Sequence, residues 1–182
     1  MTRGYMERPL PTIAEKFAVC DPIWSQMREE ALRISRAEPA IASFVHATVL
    51  NHERLEDALT FHLAQKLGNN DVGAMVVREV FQSALHDEPT IGDAVRADLS
   101  AVFERDPAVN TYVEPFLFFK GFLALQSYRM AHWLWSKGRT TFALHFQSRT
   151  SEHFGVDIHP AARVGRGIMM DHGTAIVIGE TA

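Results

Sequence analysis

The chain has 182 residues, 47% hydrophobic and 22% charged, with a net charge of −4 at pH 7. That is ordinary soluble globular material, enough for one domain or for one domain and a fragment, and its acidic balance argues against nucleic acid, which needs a basic face. Cys20 is the only cysteine, so no internal disulfide can form and a cytoplasmic protein is the default. The start, MTRGYMERPLPTIAEKF, lacks an apolar core of signal-peptide length, and the most apolar run, Phe116 to Leu125, is broken by Lys120 and Gly121, well short of a membrane span.

Residues 1–20 have little periodicity and three turn-formers, Gly4, Pro9 and Pro11, and read as a loose extension. From 21 to 154 the pattern is helical. Asp21-Pro22 supplies an N-cap with proline at the first helical position. Glu38-Pro39 and Glu88-Pro89 place proline similarly behind weaker caps. Leu55, Leu59, Leu63 and Leu67 mark one helix face. Gly68-Asn69-Asn70 ends that helix, Asp71 is expected to cap the next, and Met75, Val76 and Val80 are expected to face inward. Asp106-Pro107 reads as another capped start. Pro115 to Lys137 reads as one long buried helix with Gly138 as its stop, and a last helix is expected from about Thr140 to His153.

Gly155 marks a change of period. Ile158, Val164, Met170, Ile176 and Ala182 fall six residues apart, with small, glycine and polar residues between them. A six-residue beat fits neither an amphipathic helix nor an alternating strand. It is the beat of a parallel β-helix built from hexapeptides, each making one flat side of a triangular coil of about 18 residues. The fold expected is mainly α: an all-α domain over 21–154, followed over 155–182 by the first one to one-and-a-half coils of a β-helix.

Three segments narrow this further: KGFLALQSYRMAHWLW at 120–135, VDIHPAARVGRGIMMDHGT at 156–174 and RDPAV at 105–109. Together they resemble bacterial serine O-acetyltransferase, and the similarity runs from about Ile23 to Ala182. The long aromatic helix is the more specific signal, because many hexapeptide acyltransferases share the Ile-His-Pro and glycine pattern. The resemblance implies a left-handed β-helix, assembly as a dimer of trimers, and transfer of acetyl from acetyl-CoA to the hydroxyl of L-serine to give O-acetyl-L-serine for cysteine biosynthesis. It also implies feedback inhibition by L-cysteine at the serine site.

A serine hydroxyl is a poor nucleophile at neutral pH, so a base must take its proton as it attacks the thioester. Histidine suits that task, a carboxylate on its other ring nitrogen fixes the tautomer, and nearby donors stabilise the oxyanion. The resemblance assigns the base to His172 in MMDHGT. It makes Asp157 the orienting carboxylate: at 15 residues upstream, slightly less than one coil, Asp157 can approach His172 from an adjacent coil. Asp106 and Asp171 match the positions that hold the substrate serine. Local chemistry offers alternatives: Asp106 as a cap, Asp157 closing the helix-to-strand junction, Asp171 as a solvated corner. His159 reads as a junction residue. Phe116, Phe118, Phe119, Phe122, Trp133 and Trp135 read as core or subunit-interface residues. Gly165 and Gly167 fit tight coil turns better than a phosphate site, and the histidines lack metal-ligand spacing, so no metal is expected.

In the family the chain continues past the position of Ala182. The further coils form most of the acetyl-CoA cleft, and a C-terminal tail docks into O-acetylserine sulfhydrylase. On that basis the 182-residue chain is expected to be truncated and to have little or no acetyltransferase activity. Two other readings stay open: a non-catalytic oligomerisation module of the enzyme, and a hexapeptide acyltransferase for another small acceptor.

Overall fold

Asp21 caps the first helix, α1 (Pro22–Ala37): its carboxylate accepts from Trp24 N at 3.1 Å while Pro22 takes the first turn, where no N–H is needed. The computed structural model describes residues 21–182, so the extension expected over 1–20 lies outside the described residues. Pro39 opens a single 3₁₀ turn, Pro39–Ile41, with no cap bond from Glu38. A short α2 (Ala42–Val45) and a π-type segment, His46–Leu50, lead to α3 (Leu55–Leu67), whose Leu55, Leu59, Leu63 and Leu67 are all buried.

The next helix differs from its expected phase. Asn69, not Asp71, organises the loop: its Oδ1 accepts from the N–H groups of Asp71 and Val72. The helix α4 (Ala74–Asp87) starts after Gly73 with no side-chain cap. Val77, Phe81 and Ala84 face inward, at the i, i+4, i+7 spacing, whereas Met75 is 79% exposed and Val76 is also exposed. Val80 is partly buried against the core, so the buried stripe is centred one residue on from the expected Val76 and Val80.

Two further expectations change. The helix α5 (Thr90–Arg105) ends at Asp106, and no helix begins at Pro107; Asp106 Oδ1 instead accepts from Ala108 N at 2.9 Å, closing an Asx turn. The long helix is two, α6 (Val113–Phe118) and α7 (Lys120–Ser136), separated by an extended Phe119. The break leaves no orphaned backbone there, because Phe119 N donates to Pro115 O and Phe119 O accepts from Leu123 N. The one sequence signal beside it is Lys120-Gly121, which interrupts the apolar run FLFFKGFLAL. Gly138 stops α7 at φ 74°, and α8 (Thr140–Phe154) ends on Gly155 at φ 71°, the left-handed turn that only glycine adopts without strain.

After Gly155 the strand β1 (Val156–Ile158) pairs in parallel with β2 (Ile176–Ile178). Val156 lies opposite Ile176, so one circuit takes 20 residues rather than about 18. Before β2 the chain rounds a corner in which Gly173 and Ala175 both have positive φ. Ile158 and Met170 are buried, as the six-residue beat requires, while Ile176 stays exposed. Val156, Ile158, Ala162 and Met170 belong to the same apolar cluster as the helical core.

The helix α7 grips the coil through its backbone. Tyr128 donates its hydroxyl to Ala162 O and accepts from Val164 N, Arg129 Nη2 donates to Gly165 O at 2.8 Å, and His132 Nδ1 lies 2.7 Å from Pro160 O. Trp135 packs against the His159 ring edge-on, with centroids 5.0 Å apart. Asp98 of α5 is fully buried beneath this contact and accepts from Gln126 Nε2, Arg129 Nε and Nη2, and the coil's Ile168 N.

Candidate functional site

Asp171 and His172 stand together on the corner before β2. His172 is 87% exposed at its side chain, and its Nε2 lies 3.6 Å from Asp171 Oδ1. The corner itself is well braced. Lys120 donates its ammonium to Thr174 Oγ1. Gly121, buried in the first turn of α7, lies so close to Met170 O and Asp171 O that a Cβ would overlap both. Gly173 packs on Val156, and Ala175 N donates to Gly155 O at 2.8 Å. An exposed imidazole on a braced backbone has the freedom to meet a substrate while its Cα stays fixed.

Asp157 sits at the centre of β1, with Val156 and Ile158 buried on either side. The two-residue strand period therefore sends its carboxylate to the opposite, half-open face. Its Oδ1 accepts from Gln147 Nε2 of α8 at 2.6 Å. No hydrogen bond joins Asp157 to His172 among the described residues; in the strand pairing Asp157 lies opposite Val177. Asp106 spends Oδ1 on its own turn, and its neighbour Arg105 ties the end of α5 to the coil through Gly167 O at 3.1 Å. His159 plays its expected junction part: Nδ1 accepts from Ala161 N while the ring packs on Trp135.

Thus Asp171 and His172 are brought side by side, Asp157 and Asp106 are anchored by other partners, and the supporting residues Gln147, Asp98, Arg129, Lys120 and Gly121 emerge only in three dimensions. Lys120, Gly121 and Arg129 fall inside the aromatic helix segment; Gln147 and Asp98 carry no sequence signal of their own.

Burial pushes the Tyr128 phenol up, which keeps it a donor to the coil. Behind the α6–α7 break, His62 is buried with Nε2 3.1 Å from Leu117 O and its ring stacked on Phe116; burial, with the Lys66 charge adding to it, pushes its pKa down to about 4. It is a neutral core residue. No group of three or more His, Cys, Asp or Glu that could hold a metal ion occurs among the described residues, and none of their helices is long and apolar enough to cross a membrane.

Fold and corner together define a helical domain clasping the first coil of a hexapeptide repeat, with an Asp-His pair exposed on its corner. The family described as serine acetyltransferase, N-terminal, matches residues 23–127. The serine acetyltransferase of Salmonella typhimurium is 49% identical over 160 residues, which cover 88% of this chain and 59% of that protein. The Neisseria gonorrhoeae serine acetyltransferase structure in complex with serine superposes with a TM-score of 0.87 at 48% identity, covering 88% of this chain and 67% of that one. The Brucella abortus strain S19 enzyme in complex with coenzyme A gives 0.88 at 44% identity, covering 91% and 66%. The chain belongs to the serine acetyltransferase family. It spans less than two thirds of the length of the curated relatives it matches.

Proposed function

We propose that the protein transfers the acetyl group of acetyl-CoA to the hydroxyl of L-serine in the cytoplasm, with residues 21–154 as its helical domain and 155–182 as the start of its coil. The observation that carries this reading is the braced, exposed Asp171–His172 pair in a chain 48% identical to an enzyme crystallised with serine. His172 accepts the proton from the serine hydroxyl as the oxygen attacks the thioester carbonyl. The tetrahedral oxyanion collapses, the carbon–sulfur bond breaks, and the protonated imidazole returns the proton to the departing thiolate. Asp157 orients His172 and stabilises the imidazolium. Asp171 and Asp106 hold the serine, chiefly its ammonium; the Oδ2 of Asp106 is not needed for its turn bond, so anchoring and binding are compatible. L-cysteine, with a thiol where serine has a hydroxyl, fits the same acceptor site as an inhibitor, and the assembled protein is read as a dimer of trimers.

Thiol release from acetyl-CoA in the presence of L-serine tests this on the catalytically active form. The His172→Ala variant should lose about 10²–10⁴-fold in kcat, the usual contribution of a general base. Titration calorimetry of the 182-residue chain with L-serine should show binding that Asp171→Asn weakens. Unchanged turnover in His172→Ala refutes the reading.

A further inference from the structure

We infer that Gln147 is a positioning residue for the acetyl transfer, acting through Asp157; this rests on the reading of Asp157 as the carboxylate that orients His172. Gln147 lies in the middle of α8, where the helix backbone fixes its Cα, and Gly155 turns the chain so that β1 runs back alongside that helix. The 2.6 Å bond from Gln147 Nε2 takes Asp157 Oδ1. A carboxylate has two oxygens, and Oδ2 of Asp157 has no hydrogen-bond partner among the described residues. The amide thus locks the carboxylate plane and leaves the second oxygen for an imidazole N–H.

The surroundings favour such a lock. Both strand neighbours of Asp157 are buried, so its backbone cannot swing, and the only soft degrees of freedom are the two side-chain torsions that Gln147 restrains. The pair lines an open surface depression of about 450 Å³ together with Leu144, Ser148 and Ser151 of α8. The serine hydroxyls there are short, and none is hydrogen-bonded to Asp157, so among the described residues Gln147 alone restrains the carboxylate. A neutral amide donor suits the role: it orients the carboxylate without adding the positive charge that would compete with the imidazolium forming on His172.

The test is a double-mutant cycle on the active enzyme with Gln147→Met and Asp157→Asn. Methionine keeps the length and volume of glutamine and its place in a helix but has no N–H. Gln147→Met should lower kcat roughly tenfold, the scale of one hydrogen bond to a charged group, with KM for both substrates and the thermal midpoint unchanged. In the Asp157→Asn background it should add nothing, because its effect runs through the carboxylate. A full additive loss in that background, or an unchanged kcat in the single variant, overturns the proposal while leaving the dyad in place. An Asp157→Asn enzyme of undiminished kcat removes the dyad reading and the proposal with it. Should Gln147→Met fail to fold, Gln147→Glu is the second probe: the introduced carboxyl donates only when protonated, so its kcat should recover as pH falls relative to the parent, and a pH profile parallel to the parent's overturns the proposal.

Discussion

Replacing Asp98 with Asn should unfold this chain far more readily than any surface change. Asp98 is fully buried and accepts four hydrogen bonds, from Gln126 Nε2, Arg129 Nε and Nη2, and Ile168 N. Arg129, 8% exposed, has this carboxylate as its only counter-charge within salt-bridge distance among the described residues. Neutralising the acid leaves a buried guanidinium uncompensated, which costs about 3–5 kcal/mol. Against a typical total of about 5–15 kcal/mol, that is a large share of the stability. By contrast, the exposed Lys137–Asp87 pair is screened by solvent and should contribute little. Urea unfolding followed by the fluorescence of Trp24, Trp133 and Trp135 measures the cost directly. The double variant Asp98→Leu with Arg129→Met should lie closer to the parent, because it removes both charges; its residual deficit is the orphaned Ile168 N–H, Gln126 amide and Gly165 carbonyl, about 1–3 kcal/mol each. Hydrogen exchange at Ile168 N should accelerate in Asp98→Asn. A loss below about 1 kcal/mol in Asp98→Asn would refute the reasoning, for it would mean that water already compensates the pair.

Gly121→Ala should cost about 1–3 kcal/mol, the usual range for overpacking, and should shift the backbone resonances of Asp171 and His172, since the added Cβ meets two carbonyls and not a yielding side chain; unchanged resonances would contradict the close approach. Because the folded pKa of His62, about 4, lies below its ordinary 6.5, the unfolded chain takes up the proton first, so stability is complete above pH 6.5 and falls by about 3 kcal/mol as pH drops to 4. His62→Phe should flatten that limb of the stability profile. For Glu56, burial alone would raise the pKa, but the Arg96 hydrogen bond and charge outweigh it and hold the carboxyl below its ordinary 4.5. Its contribution is present above that value and is lost as pH falls through the folded pKa, so Glu56→Gln should lower stability at pH 7 by about 1 kcal/mol and not at pH 2.

Much of this architecture was legible wherever one residue's chemistry decides its own conformation. Asp21-Pro22, Gly138 and Gly155 announce their caps and stops, and the leucines of α3 repeat closely enough to fix the buried face. Legibility fails where burial is two-sided. In FLFFKGFLAL apolar residues flank Lys120-Gly121 on both sides, so the extended Phe119 is only weakly marked, and in α4 the run Ala74-Met75-Val76-Val77 admits two inward faces until packing selects one. The Asp-His corner drew notice in MMDHGT only through the family resemblance, and its supports carried no sequence signal that singled them out. Asp98 and Gln126 look like ordinary solvated helix positions because their partners lie 28 residues apart in sequence, and Gln147 finds Asp157 only after Gly155 reverses the chain.

The aromatic helix acquires a different meaning once its partners are known. Tyr128, Arg129 and His132 engage the carbonyls of Ala162, Gly165 and Pro160, and Tyr128 also receives Val164 N, so the helix recognises the path of the coil's backbone and is indifferent to most of its side chains. A solenoid coil ordinarily gains its order from the coil stacked beside it. Here one flank of the first coil is set by α7 and by Asp98 of α5 instead. The corner that presents Asp171 and His172 inherits that placement through Gly121 and Lys120 at the opposite end of the same helix. The helical domain is therefore part of the site's scaffold: the segment that looks like core from its composition is what places the Asp-His corner.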